Sequence, residues 1–180
     1  MRGIVFTELL DLIEEKYGYD LVDQVLQKVK PNTEGAYTSV GSYPYREMLA
    51  LLVELSQSLN IGIDSLLELY GEHLFGVFAE RYASLFSPGI DAFTFLASVE
   101  SHIHPEVLKL YPDAELPSFE IESNDSSQLM MIYRSTRKMG QFALGLIKGC
   151  LKHFDEYADI LMEKLNDDGS AVRFTIRRRS

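Results

Sequence analysis

The sequence contains one cysteine, Cys150, and no tryptophan. A lone thiol excludes an internal disulfide framework and any cysteine-based zinc cluster, and it fits a reducing compartment. No apolar run reaches the roughly 18 residues that a membrane-spanning helix needs. Basic residues are also scarce: 17 Lys and Arg stand against 27 Asp and Glu, a formal net charge of −10. A general nucleic-acid binder draws its phosphate affinity from Lys and Arg, so that class is disfavoured. The opening segment MRGIVFTELLDLIEEKYG has Arg2 and a short apolar run, but Glu8, Asp11, Glu14 and Glu15 interrupt it and no A-x-A site follows. It does not read as a signal peptide, and a cytoplasmic location is expected.

What is present is ordinary for a globular chain: 180 residues, 46% hydrophobic and 24% charged. That length fits one domain, or one domain with a small subdomain. Val5, Leu9, Leu12 and Ile13, then Leu21, Val22, Val25, Leu26 and Val29, recur near the helical period. Gly18 separates the two runs, Pro31 ends the second, and 31–44 reads as a turn-rich loop. Helical spacing resumes over Tyr45 to Leu59. Asp64 is a candidate N-cap for a helix from Leu66 to Leu74, continuing to Leu85. SPG at 87–89 is a stop, and Asp91 is a candidate cap for a helix over Phe93 to Leu110. Pro105 inside that span predicts either a kink or the first turn of a new helix.

Beyond Pro117 the pattern alternates. SFEIES (118–123), QLMMIYRST (128–136), Tyr157–Leu165 and AVRFTIRRR (171–179) read as strands. The stretch 138–154 returns to helical spacing, with Phe142, Leu146 and Cys150 four apart. The expected class is α+β: a helical N-terminal part, then an antiparallel sheet of about four strands interrupted by one long helix.

Three groups of residues could carry chemistry. His102 and His104 flank Ile103, but residues two apart on a helix point in roughly opposite directions and cannot share one ion. Glu100 and Glu106 beside them read as ordinary helix surface. His104 lies in an apolar wall with Phe93, Phe95, Leu96 and Val99, which suits a half-buried core histidine and equally the proximal ligand of a haem iron. Tyr133, Ser135 and Arg137 would share one face of an extended segment. That face groups a phenol, a hydroxyl and a guanidinium, donors suited to carboxylates. A polar strand end with a surface arginine has the same spacing. Val5, Leu9, Phe78, Met130 and Phe142 are apolar without obvious polar partners, as either core or cofactor-pocket residues would be.

Taken together, these features resemble the H-NOX family, the haem domains of bacterial gas sensors related to soluble guanylate cyclase. The resemblance covers essentially the whole chain. It begins with MRG and FTELLDLIEEKYG at the N-terminus and continues through HPEVLKLYP (104–112). Pro117 then lies where the family has a proline against the haem plane. Tyr-x-Ser-x-Arg follows at Tyr133, Ser135 and Arg137, and RKMGQFALGLIKG (137–149) is similar to the next family helix. The family's ligand stands seven residues before the tyrosine of its Tyr-Pro pair, which from Tyr111 points to His104 rather than His102.

The resemblance implies one domain over 1–180, with a helical subdomain at 1–60 and a haem-bearing subdomain at 61–180, haem lying between the helical part and the sheet. His104 would ligate the iron of haem b, held noncovalently because no C-x-x-C-H is present. Tyr133, Ser135 and Arg137 would hold the propionates. Val5, Leu9, Leu74, Phe78, Pro117, Phe142 and Leu144 would wall the pocket. Oxygen-binding members carry a tyrosine five residues after the motif arginine, where this chain has Phe142. Without that hydroxyl the expected ligands are nitric oxide and carbon monoxide, with oxygen excluded unless Gln141 turns inward. The expected role is a sensor and not an enzyme. Release of His104 would let Pro117 and the helices around Val5 and Leu9 shift. With no stretch left for an output domain, the reader would be a separate protein such as a histidine kinase or a diguanylate cyclase. The alternatives are an oxygen sensor and a peroxidase-type haem enzyme, for which His73 and His153 are the spare histidines. Arg177, Arg178 and Arg179 read as a solvated strand end or a contact for an acidic partner, and Cys150 as a buried structural thiol.

Overall fold

The apolar spacing at the N-terminus becomes two helices, α1 (Ile4–Tyr17) and α2 (Tyr19–Val29). Gly18 breaks them apart at φ 87° and ψ 161°, a positive-φ conformation that glycine adopts without a Cβ penalty. α3 (Tyr45–Leu59) buries Met48, Leu51, Leu52 and Leu55 along one stripe and stops at Asn60, which is left-handed. α4 (Ile63–Arg81) follows. The computed structural model describes residues 1–179. They form two compact units, the first Met1–Tyr70 and the second from Gly71 onwards, so the division falls inside α4. The expected boundary lies ten residues earlier, at the Asn60–Gly62 break.

In the first unit, Phe6, Leu9 and Ile13 of α1 are fully buried. Tyr70 is fully buried too, and its hydroxyl donates to the Val5 carbonyl at 2.5 Å. Asp64 does not cap α4. The helix starts one residue before it, and the Leu66 N–H donates to the Gly62 carbonyl. Asp64 therefore sits in the first turn, where its charge suits the helix dipole without a capping bond.

In the second unit the expected long helix over 93–110 is three pieces: α5 (Ala92–Ala97), a π turn (Val99–Ile103) and α6 (His104–Leu110). Asp91 caps α5 as expected, accepting from the Thr94 N–H at 2.7 Å. Pro105 stands in the first turn of α6, where its missing N–H costs nothing. Four antiparallel strands follow: β1 (Ser118–Asn124), β2 (Gln128–Arg134), β3 (Ala158–Lys164) and β4 (Ala171–Arg178). Their order is β1-β2-β4-β3, with α7 (Gly140–His153) between β2 and β3 in sequence.

Leu129, Met131 and Tyr133 of β2 and Val172, Phe174 and Ile176 of β4 join one core with Ile147 and Cys150 of α7. Two glycines let α4 and α7 touch backbone to backbone. A Cβ on Gly71 would stand 2.3 Å from the Phe142 carbonyl oxygen, and one on Gly149 would stand 2.6 Å from the Phe75 Cβ. Glycine costs about 1 kcal/mol in a helix interior; here the close packing requires it. Along α4, Leu74 and Phe78 continue the face that Gly71 begins, at helical spacing.

The basic end of β4 is not simply solvated. Arg178 reaches Asp91 and Glu156, each at 2.5 Å, Arg177 donates to Gln128 at 2.8 Å, and Arg179 to Asp159 at 2.8 Å. Cys150 is buried, and burial pushes its thiol pKa well up, which keeps it protonated.

Candidate functional site

His104 owes its place to an irregular backbone. In the π turn the Ser98 carbonyl accepts from both the His102 N–H at 2.8 Å and the Ile103 N–H at 3.3 Å. The extra residue resets the helical phase just before His104, a feature that recurs at functional sites. The His104 side chain is 14% exposed, and its ring centroid lies 5.8 Å from that of Phe119 on β1. His102, two residues back, is exposed.

The imidazole Nδ1 lies 3.1 Å from Glu100 Oε2. A carboxylate can only accept, so Nδ1–H donates and Nε2 is the lone-pair nitrogen, the tautomer a metal ligand needs. Burial holds the His104 pKa below the usual histidine value, partly opposed by the Glu100 charge, so the ring is neutral at neutral pH. Glu100, expected to be plain helix surface, is thus the partner of the candidate ligand. The sequence does carry a signal for this pairing, the four-residue spacing of Glu100 and His104.

The Tyr-Ser-Arg set comes together differently from the extended strand expected over 128–136. β2 ends at Arg134, and a turn follows in which the Lys138 N–H donates to the Ser135 carbonyl at 3.2 Å. Alternation nevertheless survives: Arg134 and Thr136 are exposed, whereas Tyr133 is buried and Ser135 and Arg137 are half-buried. The Tyr133 hydroxyl accepts from the Met139 N–H at 3.2 Å, and Ser135 Oγ accepts from the Arg137 N–H at 3.1 Å. Tyr133, Phe119 and His104 form a ladder of rings, with 5.7 Å between the Phe119 and Tyr133 centroids.

The Arg137 guanidinium grips Glu115, donating to its carboxylate at 2.6 Å and to its main-chain carbonyl at 3.1 Å. This neighbour, two residues before Pro117, was not legible from the motif. Beside it opens a cavity of about 580 Å³ lined by Glu115, Leu116, Ser118, Ser135 and Arg137, among others. His104 is outside that lining.

The remaining candidates divide between the units. Pro117, Phe78, Phe142 and Leu144 are half-buried and Leu74 is buried, all in the second unit. Leu9 is buried and Val5 half-buried, both in the first. His153 packs among phenylalanines, 5.0 Å from the rings of Phe86 and Phe154. Among the described residues, no group of three or more His, Cys, Asp or Glu is arranged to hold a metal ion. No described helix is long and apolar enough to cross a membrane.

The residues present fit a haem. One neutral imidazole has its tautomer set for a metal, and a guanidinium already holds a carboxylate of the kind a propionate would replace. Residues 2–162 match the protein family described as Haem-NO-binding. No curated protein matches the chain. Among solved structures, the unliganded Fe(II) H-NOX protein from K. algicida is 45% identical with a TM-score of 0.95, covering 100% of this chain and 97% of that one. The IWP-051-bound H-NOX from Shewanella woodyi in the Fe(II)CO state is 38% identical, with a TM-score of 0.86 and coverage of 99% and 95%. An H-NOX protein from S. oneidensis in the Fe(II)NO state is 27% identical, with a TM-score of 0.90 and both chains covered at 100%. H-NOX domains bind haem and sense gases and are not themselves enzymes. With the family match spanning 2–162 and the fold shared along the full length, this chain belongs to the haem-NO-binding, or H-NOX, family.

Proposed function

We propose that this protein is a nitric oxide sensor that also takes carbon monoxide and excludes oxygen, using haem b. His104 would hold the iron through Nε2, with Tyr133, Ser135 and Arg137 binding the propionates and Pro117, Leu74, Phe78, Phe142 and Leu144 contributing apolar wall. When bound, haem would supply a ferrous iron able to take a diatomic ligand such as nitric oxide. His104 begins α6 directly after the π turn, so its tether decides where that helix can sit. Held and released states of His104 make a two-state element that a gas can bias. A separate protein, such as a histidine kinase or a diguanylate cyclase, would read the difference.

The observation that carries the selectivity is Phe142, near the start of α7, a side chain with no donor. An oxygen ligand gains from a distal hydrogen bond, whereas nitric oxide and carbon monoxide need it far less. The test is an absorption spectrum of the anaerobically reduced protein, repeated with nitric oxide and then with air. A ferrous haem band that shifts with nitric oxide and shows no stable oxygen adduct is expected. A stable oxygen adduct would overturn the selectivity, and failure to take up haem would overturn the whole reading.

A further inference from the structure

Glu100 Oε2 accepts two hydrogen bonds from two different elements. One comes from His104 Nδ1 at 3.1 Å, the other from the Phe119 backbone N–H at 2.9 Å. Phe119 belongs to β1, which is an edge strand, so this N–H is one the sheet does not use. A carboxylate held by the sheet is a fixed acceptor. It anchors the imidazole to β1 two residues after Pro117 and stops the ring from turning about its own bond.

We propose that Glu100 is a positioning residue for the metal ligand, locking the His104 ring to β1 and strengthening the bond that His104 makes. This rests on His104 being the haem ligand. The physical basis is general: a ligating histidine whose second nitrogen donates to a carboxylate is a better electron donor, and its orientation is fixed. The same bond gives a path from His104 to the sheet. If the ring moves, the carboxylate must either follow it or leave the Phe119 N–H.

The test compares the wild type with Glu100→Gln and Glu100→Ala as ferrous holoproteins. Resonance Raman reads the iron–histidine stretching frequency, which a merely structural role would leave in place. It should be highest in the wild type, lower in E100Q, which keeps an oxygen acceptor but no charge, and lowest in E100A. Haem transfer to excess apomyoglobin should quicken about tenfold in E100A, the lower end of the loss typical for such outer partners, and E100Q should restore part of it. Bound haem with the same stretch in all three proteins would overturn the role of Glu100 while leaving the sensor reading intact. A wild type that takes up no haem would overturn both.

Discussion

Arg137 is already engaged with a carboxylate: its guanidinium donates to Glu115 Oε2 at 2.6 Å and to the Glu115 carbonyl at 3.1 Å. The arginine side chain is 17% exposed and the glutamate 83%, so the pair sits at a mouth, with the cation on the inside. Glu115 takes both terminal nitrogens of the guanidinium, Nη2 with its carboxylate and Nη1 with its carbonyl, the edge that a bidentate carboxylate would use. A propionate held by Arg137, as proposed above, would compete with Glu115 for that edge.

This competition predicts opposite outcomes for the two partners. Glu115→Ala should tighten haem retention by a small factor, because an exposed ion pair contributes only about 0.2–1 kcal/mol. Arg137→Ala should loosen it by more, since it removes a charged donor from the set. Haem transfer to apomyoglobin measures both. Faster loss from E115A would mean that Glu115 supports the fork instead of competing for it.

Phe142→Tyr should create the missing distal donor. A hydrogen bond in a dry site contributes roughly 1–3 kcal/mol, which is on the order of tenfold to a hundredfold in oxygen affinity. Nitric oxide affinity should change much less. Oxygen dissociation after rapid mixing reads the effect, and unchanged oxygen binding in F142Y would show that residue 142 does not face the ligand.

Much of the fold was legible in the sequence, and the rest was hidden for physical reasons. The four strands, α3 and the Asp91 cap come from alternation, spacing and capping chemistry, which are local. The π turn is not local in that sense. Val99–Ile103 has helical spacing, and only tertiary packing decides that Ser98 accepts from both His102 and Ile103. Tyr133, Ser135 and Arg137 share a face as their spacing predicts, but across a strand end and a turn and not along one strand. A turn from Ser135 to Lys138 keeps the same alternation of exposure that a strand would. Glu115 escaped because surface carboxylates look alike in a sequence, and Glu100 because its four-residue spacing to His104 is also that of an ordinary helix-surface pair. What distinguishes them is a donor brought close by the fold, Phe119 in one case and Arg137 in the other.

Asp91 offers a test of stability with a defined pH sense. Its carboxylate accepts from the Thr94 N–H at 2.7 Å and from Arg178 at 2.5 Å, and Arg178 also lies 3.9 Å from the centre of the Phe93 ring. These bonds, the Thr94 contacts foremost, hold the Asp91 pKa below the ordinary aspartate value. A carboxyl depressed in the folded state stabilises above its unfolded pKa, about 3.9, and loses that contribution as pH falls through the folded value. Asp91→Ala removes both the cap and the ion pair. The cap alone accounts for about 1 kcal/mol, which corresponds to roughly 2–4 °C in Tm for a chain of this size. Asp91→Asn keeps a capping oxygen and should recover most of that loss at neutral pH. Its advantage over D91A should persist below pH 4, because an amide does not titrate there, whereas the wild type's advantage over D91A should shrink. Thermal melts of the three proteins at neutral and acid pH separate the cap from the charge. Equal loss in D91A and D91N would assign the whole contribution to the pair with Arg178.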